Sequence, residues 1–174
     1  MLATKSFIAP ITLGFLGLVA GYLQQPQVVA QSSTQSQSAE VQQLLNTKQC
    51  PGCNLNGADL RDANLEEANL EEANLQGANL QSADLDKANL RQANLQQANL
   101  RDADLEEADL QGANLQGANL QGADLEEANL QNANFQNANL QNADLEDARL
   151  QGANFDGANL QGADLEGTIL ENRR

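Results

Sequence analysis

Histidine and tryptophan are absent from the 174 residues, and methionine and tyrosine occur once each. Without histidine the chain lacks the commonest general base and metal ligand. Hydroxyl groups are scarce as well: between residues 53 and 172 only Ser82 and Thr168 carry one, so no nucleophile and base pair can be assembled there. The chain is therefore read as a non-enzyme with no catalytic residue. Aromatic residues make up 3% of the sequence, too few for a conventional globular core. Bases are outnumbered, 9 against 24 acids for a net charge of −15, which argues against direct binding to nucleic acid or to an anionic membrane.

What is present in abundance is a five-residue phrase, as in "DLEEANLQNANFQNANL" from Asp124 to Leu140. Neither regular structure accepts a period of five. On a helix, at about 100° per residue, successive Leu would wrap around the cylinder and leave no buried stripe. On an unbroken strand the odd period would send Leu125, Leu130 and Phe135 to alternating faces. Within one unit, however, Ala123-Asp124-Leu125 alternates as a half-buried strand does, and Glu126-Glu127 can turn a corner. Each unit then forms one side of a coil with Ala and Leu inward, the coils stacking about 4.8 Å apart.

The number of sides appears as a second period, of twenty, in the variable positions. Asp84, Asp104, Asp124, Asp144 and Asp164 recur at that spacing, as do Asn54, Asn74, Asn94, Asn114, Asn134 and Asn154. The two aromatic residues at central positions, Phe135 and Phe155, are also twenty apart. Four units per turn places each set in one vertical stack, where like side chains pair between neighbouring coils.

Tandem A(D/N)LXX units from Cys53 to Asn172 resemble the pentapeptide-repeat proteins. The central residue departs from Leu only at Phe135 and Phe155, and the residue two before it departs from Ala only at Cys53 and Thr168. The resemblance implies an all-β fold, a right-handed quadrilateral parallel β-helix of about six four-sided coils spanning residues 50–172. Leu125, Leu130, Phe135 and Phe155 are expected in its core. It does not fix a function.

The flanks read differently. Lys5 precedes an apolar run from Phe7 to Leu23, and Val28 and Ala30 are small residues suited to a cleavage site, so residues 1–30 are read as a secretory signal peptide. An uncleaved anchor is the alternative, disfavoured by Pro10, Gly14, Gly17 and Gly21. Neither a lipid-accepting Cys after the run nor a paired Arg before it is present. Residues 31–38, polar and uncharged, are expected to be a disordered linker. Residues 39–49 are expected to form a short cap helix, with Val41, Leu44 and Leu45 on one face. Residues 173–174 are left as a tail. Removal of Lys5 with the signal would take the net charge from −15 to −16.

Cys50-Pro51-Gly52-Cys53 leaves three readings: a structural disulfide, free thiols or a redox couple. Zinc would need further ligands, a thioredoxin-like role would need a βαβ setting, and export favours the disulfide. Sorting charges by the twenty-residue coil gathers most of the 24 acids on one side. These are the five stacked Asp, then Glu66, Asp86, Glu106, Glu126, Glu146 and Glu166, then Glu67, Glu107, Glu127 and Asp147, with Lys87 the one base among them. The side built on Leu55, Leu75, Leu95, Leu115, Phe135 and Phe155 carries Asp156 as its only charge.

The sequence thus points to an exported binding or scaffold protein whose acidic face meets a protein partner with a basic surface or divalent cations such as calcium; the resemblance, to a family commonest in photosynthetic bacteria, implies the periplasm or thylakoid lumen as its compartment. No cofactor is called for, and no stable membrane insertion is expected after cleavage. Stacked carboxylates about 5 Å apart match the spacing in retaining glycosidases, but a flat ladder offers no pocket and no means of separating two pKa values. The resemblance supplies a second reading, since some pentapeptide-repeat proteins are acidic rods that imitate duplex DNA and bind DNA gyrase. Export argues against that target. At the other end the register degrades at Thr168-Ile169-Leu170, leaving Phe155, Leu160, Leu165 and Leu170 to line an open coil end, where end-to-end pairing of two copies is expected.

Overall fold

The computed structural model describes residues 27–170, with side chains from Gln37 onward. Nearly all of the expected signal peptide and the whole tail lie outside those residues. From Cys50 to Leu165 the chain repeats one local conformation every five residues. In the unit that starts at Leu125, the Ala128 amide donates to the Leu125 carbonyl at 3.1 Å, closing a β-turn whose third residue, Glu127, is left-handed at φ 56°. Asn129 then bridges the coils on both sides, pairing with Asp109 and Arg149.

Every bridge is parallel and links a residue to one twenty positions on, from Gln49↔Asn69 to Asp144↔Asp164. Four sides close one turn of a right-handed quadrilateral β-helix. Each side holds a single bridging residue, because two of every five residues are spent on the corner. Rungs are backbone bonds in both directions: the Leu125 amide donates up to Asp144 at 2.8 Å, and the Asp124 amide donates down to Ala103 at 3.0 Å.

Leu and Ala fill the interior. Leu125, Leu130 and Phe135 are completely buried. Phe155 is not: it stacks on Phe135, with ring centroids 4.9 Å apart and planes 1° from parallel, but is only half-buried. The core expectation is corrected there, because Phe155 belongs to the last coil and no further coil covers it among the described residues. Leu165 departs the other way and is 4% exposed, although an open end was expected to bare it. The turn after it folds over it, with Thr168 Oγ1 donating to the Leu165 carbonyl at 2.7 Å and accepting from the Leu170 amide at 3.2 Å.

Helix α1 (Gln27–Thr47) precedes the coils as a continuous 21-residue element. It is longer than the expected 39–49 and runs through 31–38, which was expected to be disordered. The physical reason is the composition: between Gln27 and Cys50 there is neither Gly nor Pro to stop a helix, while Ala and Gln are good helix formers. The face laid on the first coil runs through Gln37, Glu40, Val41 and Leu44, of which Leu44 is fully buried. Leu45, turned about 100° from Leu44, falls on the flank and is 43% exposed rather than sharing the buried face.

Candidate interaction surface

The acidic side and the amide sides start from one device. At most bridging positions, where the residue is Asn or Asp, a side-chain oxygen accepts a hydrogen bond from the backbone amide two residues on, an Asx turn that shapes the corner; Arg149, also a bridging residue, has no oxygen to offer. Asn oxygens do this at Asn94 and Asn114, reaching Gln96 and Gln116 at 3.3 and 3.2 Å. Asp does it equally well on the acidic side, where Asp84, Asp104, Asp124, Asp144 and Asp164 accept from Asp86, Glu106, Glu126, Glu146 and Glu166 at 2.9 to 3.2 Å.

The two residue types differ in what remains. Asn has an NH₂ left over, which donates to the Asn oxygen of the coil before: Asn99 to Asn79 at 2.9 Å, Asn119 to Asn99 at 3.2 Å, Asn139 to Asn119 at 3.1 Å and Asn159 to Asn139 at 3.0 Å. An ionised carboxylate has only acceptors, so from Asp84 to Asp164 no such ladder can form. The one amide in that stack, Asn64, donates to Asp84 at 3.4 Å. Each carboxylate instead faces another about 4.8 Å away, a repulsion on the order of 1 kcal/mol in water before screening.

Beside the Asp stack runs the column Glu66, Asp86, Glu106, Glu126, Glu146, Glu166. Partial desolvation, followed by the like charges above and below, raises the carboxyl groups of Glu106, Glu126 and Glu146 above their ordinary value. Glu146 takes its largest charge effect from Glu166, and Glu126 from Glu146. Lys87 relieves the stack locally, reaching Asp86 at 2.8 Å and Glu107 at 3.3 Å. Hydrogen bonds that it donates first to Asp86 and then to Glu107 hold its ammonium above the usual lysine range.

The corners repeat the asymmetry. Their left-handed residues favour Gly or Asn, which the side through Asn54 supplies at Gly57, Gly77, Gly117, Asn137 and Gly157, with Gln97 the exception. On the acidic side the same corners are Glu67, Lys87, Glu107, Glu127 and Asp147, all at φ between 53° and 57°, and only Gly167 follows the preference.

Among the described residues no group of three or more Cys, Asp or Glu converges to hold a metal ion. A shallow groove of about 340 Å³ lies elsewhere, lined by Gln76, Gln96, Gln97, Gln116, Gly117 and Asn137, all uncharged. Cys50 and Cys53 are joined by a disulfide with Cα atoms 5.3 Å apart. Cys50 is buried beneath α1 and Cys53 packs at the edge of the same core, so the bond ties the cap junction to the first side.

Two features escaped the sequence reading. One is Glu40, whose carboxylate accepts the Asn54 amide at 2.5 Å; a lone acid in a polar helix gives no sign of its target. The other is the structural use of the Asp oxygens, which the Asx-turn preference of Asp and Asn at a corner would have indicated.

The profile of pentapeptide repeats matches residues 53–92, 93–132 and 133–172 in eight copies. No curated protein matches the chain. Among solved structures, a pentapeptide repeat protein (Rfr23) from the cyanobacterium Cyanothece 51142 is 36% identical, with 73% of this chain and 93% of that one covered and a TM-score of 0.35. A pentapeptide repeat protein from the thylakoid lumen of Arabidopsis thaliana is 30% identical over 75% of this chain and 74% of its own, with a TM-score of 0.42. QnrB1, a plasmid-mediated fluoroquinolone resistance protein, is 24% identical over 69% of this chain with a TM-score of 0.44, and the chain spans 64% of its length.

Proposed function

The chain belongs to the pentapeptide-repeat family, and from that premise we propose that it is an exported, non-enzymatic rod whose acidic side docks a protein partner with a basic surface. One observation carries the reading. Asn at the bridging positions makes the same corner as Asp and adds a ladder hydrogen bond, so the fold gains nothing from five Asp in one stack. The corner Glu residues and the repelling Glu column add further cost on the same side. A surface retained against its structural cost is best accounted for by binding, where a dense single-sign field steers an oppositely charged partner and fixes its register.

The compartment in this reading is the periplasm or thylakoid lumen, which rests on the leader-like residues 1–30, and calcium acts there as a screening counterion. The alternative, a DNA mimic directed at gyrase or another DNA-binding protein, would use the same carboxylates; the location of the mature chain separates the two.

The test compares the natural rod with Asp104→Asn/Asp124→Asn/Asp144→Asn as baits in extract of the native compartment, at low and at raised salt. Basic proteins held by the natural rod, and released both by the substitution and by salt, are expected. Equal retention on both baits would remove the acidic side from the account.

A further inference from the structure

The acidic side has a counterpart half a turn away. Residues ten apart lie on opposite sides of a four-sided coil of twenty, so the side through Asn54 backs onto the side through Asn64 and Asp84. There Asp156 is the only charge, and the surface is built from amides. Gln96 donates to Gln116 and Gln116 to Gln136, both at 3.2 Å, while Asn134 donates to Asn114 and Asn94 to Asn74, also at 3.2 Å. A primary amide offers two donors and two acceptor lone pairs. Gln116 uses one of each in its ladder, which leaves one N–H and one lone pair for a partner.

The corner beside these amides is uneven. From the first coil to the sixth its left-handed residues are Gly57, Gly77, Gln97, Gly117, Asn137 and Gly157, so two side chains rise among four gaps. A Cβ at Gly57 or Gly77 would meet nothing within 4 Å, and one at Gly117 would meet only Gln97 Cγ, at 3.8 Å. The groove of about 340 Å³ opens over Gly117, with Gln97 and Asn137 before and after it along the rod and Gln76, Gln96 and Gln116 beside it.

The order of side chains and gaps selects the occupant. Reversing the six corner residues sets Gly57 against Gly157, Gly77 against Asn137 and Gln97 against Gly117, so each side chain meets a glycine. A two-fold axis in the contact plane, running across the rod between the third and fourth coils, produces this reversal between two copies. The same axis sets Gln96 against Gln116, where two amides can exchange bonds, and brings Asp156, the one carboxylate, to the side-chain amide of Asn56. A shift by one coil would set Gln97 on Gln97 or on Asn137, and a parallel pair would bring Asp156 level with Asp156. On the acidic side the same reversal would oppose Glu107 and Glu127. We propose that two copies pair side by side and antiparallel through these amide sides, Asn and Gln interdigitating as in the zipper between paired sheets. Both acidic sides then face outward, and the dimer stands whether or not they dock a partner.

The experiment is sedimentation of the purified chain from low to high micromolar concentration, at low and at raised salt. A monomer that becomes a dimer is expected, and because each chain carries a net charge of −15, the dimer should tighten as salt screens the two copies. Docking of a basic partner on the acidic side weakens with salt, so the two readings fail separately. Gln97→Glu puts two carboxylates beside the two-fold axis and should weaken the dimer at least tenfold. The melting of the coils should stay unchanged, because Glu already occupies such corners at Glu107 and Glu127. Asn56→Asp should weaken the dimer several-fold by facing Asp156 of the other copy, and Asp156→Asn added to the same chain should restore it. Within one chain these two residues are five turns of twenty apart, about 24 Å, so coupling between them arises only across an antiparallel pair. A strict monomer at high micromolar concentration and raised salt overturns the proposal. So does a dimer that weakens with salt, one unmoved by Gln97→Glu, or one in which Asp156→Asn fails to rescue Asn56→Asp.

Discussion

The side through Asn79, Asn99, Asn119, Asn139 and Asn159 and the side through Asp84, Asp104, Asp124, Asp144 and Asp164 share one backbone, one register and one corner hydrogen bond. They differ by an NH₂ in place of an oxygen. On the first side that group ties each coil to the previous one; on the second its absence leaves stacked charges. In a β-helix of this kind the bridging position can thus be spent on cohesion or on charge, and the coil itself tolerates either.

The largest effect comes from turning the cohesive side into the charged one. Asn99→Asp/Asn119→Asp/Asn139→Asp removes three ladder donors and adds three stacked carboxylates. At about 1 kcal/mol per lost bond, stability should fall by roughly 3 kcal/mol or more, with a melting point lower by about 6–12 °C. A variant as stable as the natural chain would show that the ladders seen at 2.9 to 3.2 Å contribute nothing net.

A smaller effect lies at the corners. Glu107→Gly and Glu127→Gly replace left-handed Glu, at φ 53° and 56°, with the residue that adopts this conformation freely. Each is expected to stabilise by about 0.5–1 kcal/mol in chemical denaturation. The reverse change on the neutral side, Gly117→Glu, should destabilise by a similar amount, and agreement in sign between the two sides is the point of the pair.

The smallest effect is pH-dependent. Glu106, Glu126 and Glu146 are raised above their ordinary 4.5 by desolvation and by like charge, so the folded chain holds these protons more tightly than the unfolded one. The stability this confers is fully present below 4.5 and is lost as pH rises through the raised values. Melting temperature should therefore climb as pH falls from neutral toward that window, and Glu106→Gln/Glu126→Gln/Glu146→Gln should flatten the climb. Asp59, held low chiefly by its hydrogen bond from Arg61, runs the other way, losing its contribution only as pH falls through its lowered value. The scan is accordingly read above 3.8, the ordinary aspartate value.

Much of this contrast was legible in the sequence because the repeat writes its own register: identical side chains recur wherever they stack, so the Asn54 column and the Asp84 column each announce the twenty-residue turn. Burial followed from the Ala and Leu positions. The ends were harder, since a residue at the rim keeps the repeat's pattern while losing its cover. Phe155 has the same sequence context as Phe135 yet is half-buried, and Leu165 is protected by a Thr168 turn that falls outside the repeat pattern. For α1 the continuous absence of helix breakers was the better guide, and low hydrophobicity the poorer one. The energetic meaning of the acidic side, as against its location, needed the hydrogen bonds: only with Asp124 and Asn119 both seen making the corner does the carboxylate stand out as dispensable to the fold.

The most direct test of that dispensability is the unfolding free energy of Asp104→Asn/Asp124→Asn/Asp144→Asn against the natural chain, at neutral pH and low salt. New amide donors and relieved repulsion predict a gain of about 1–3 kcal/mol, shrinking as salt screens the natural chain's charges. A loss of stability would mean that the carboxylates hold the coil together, and the inference that they are kept for a partner would fail.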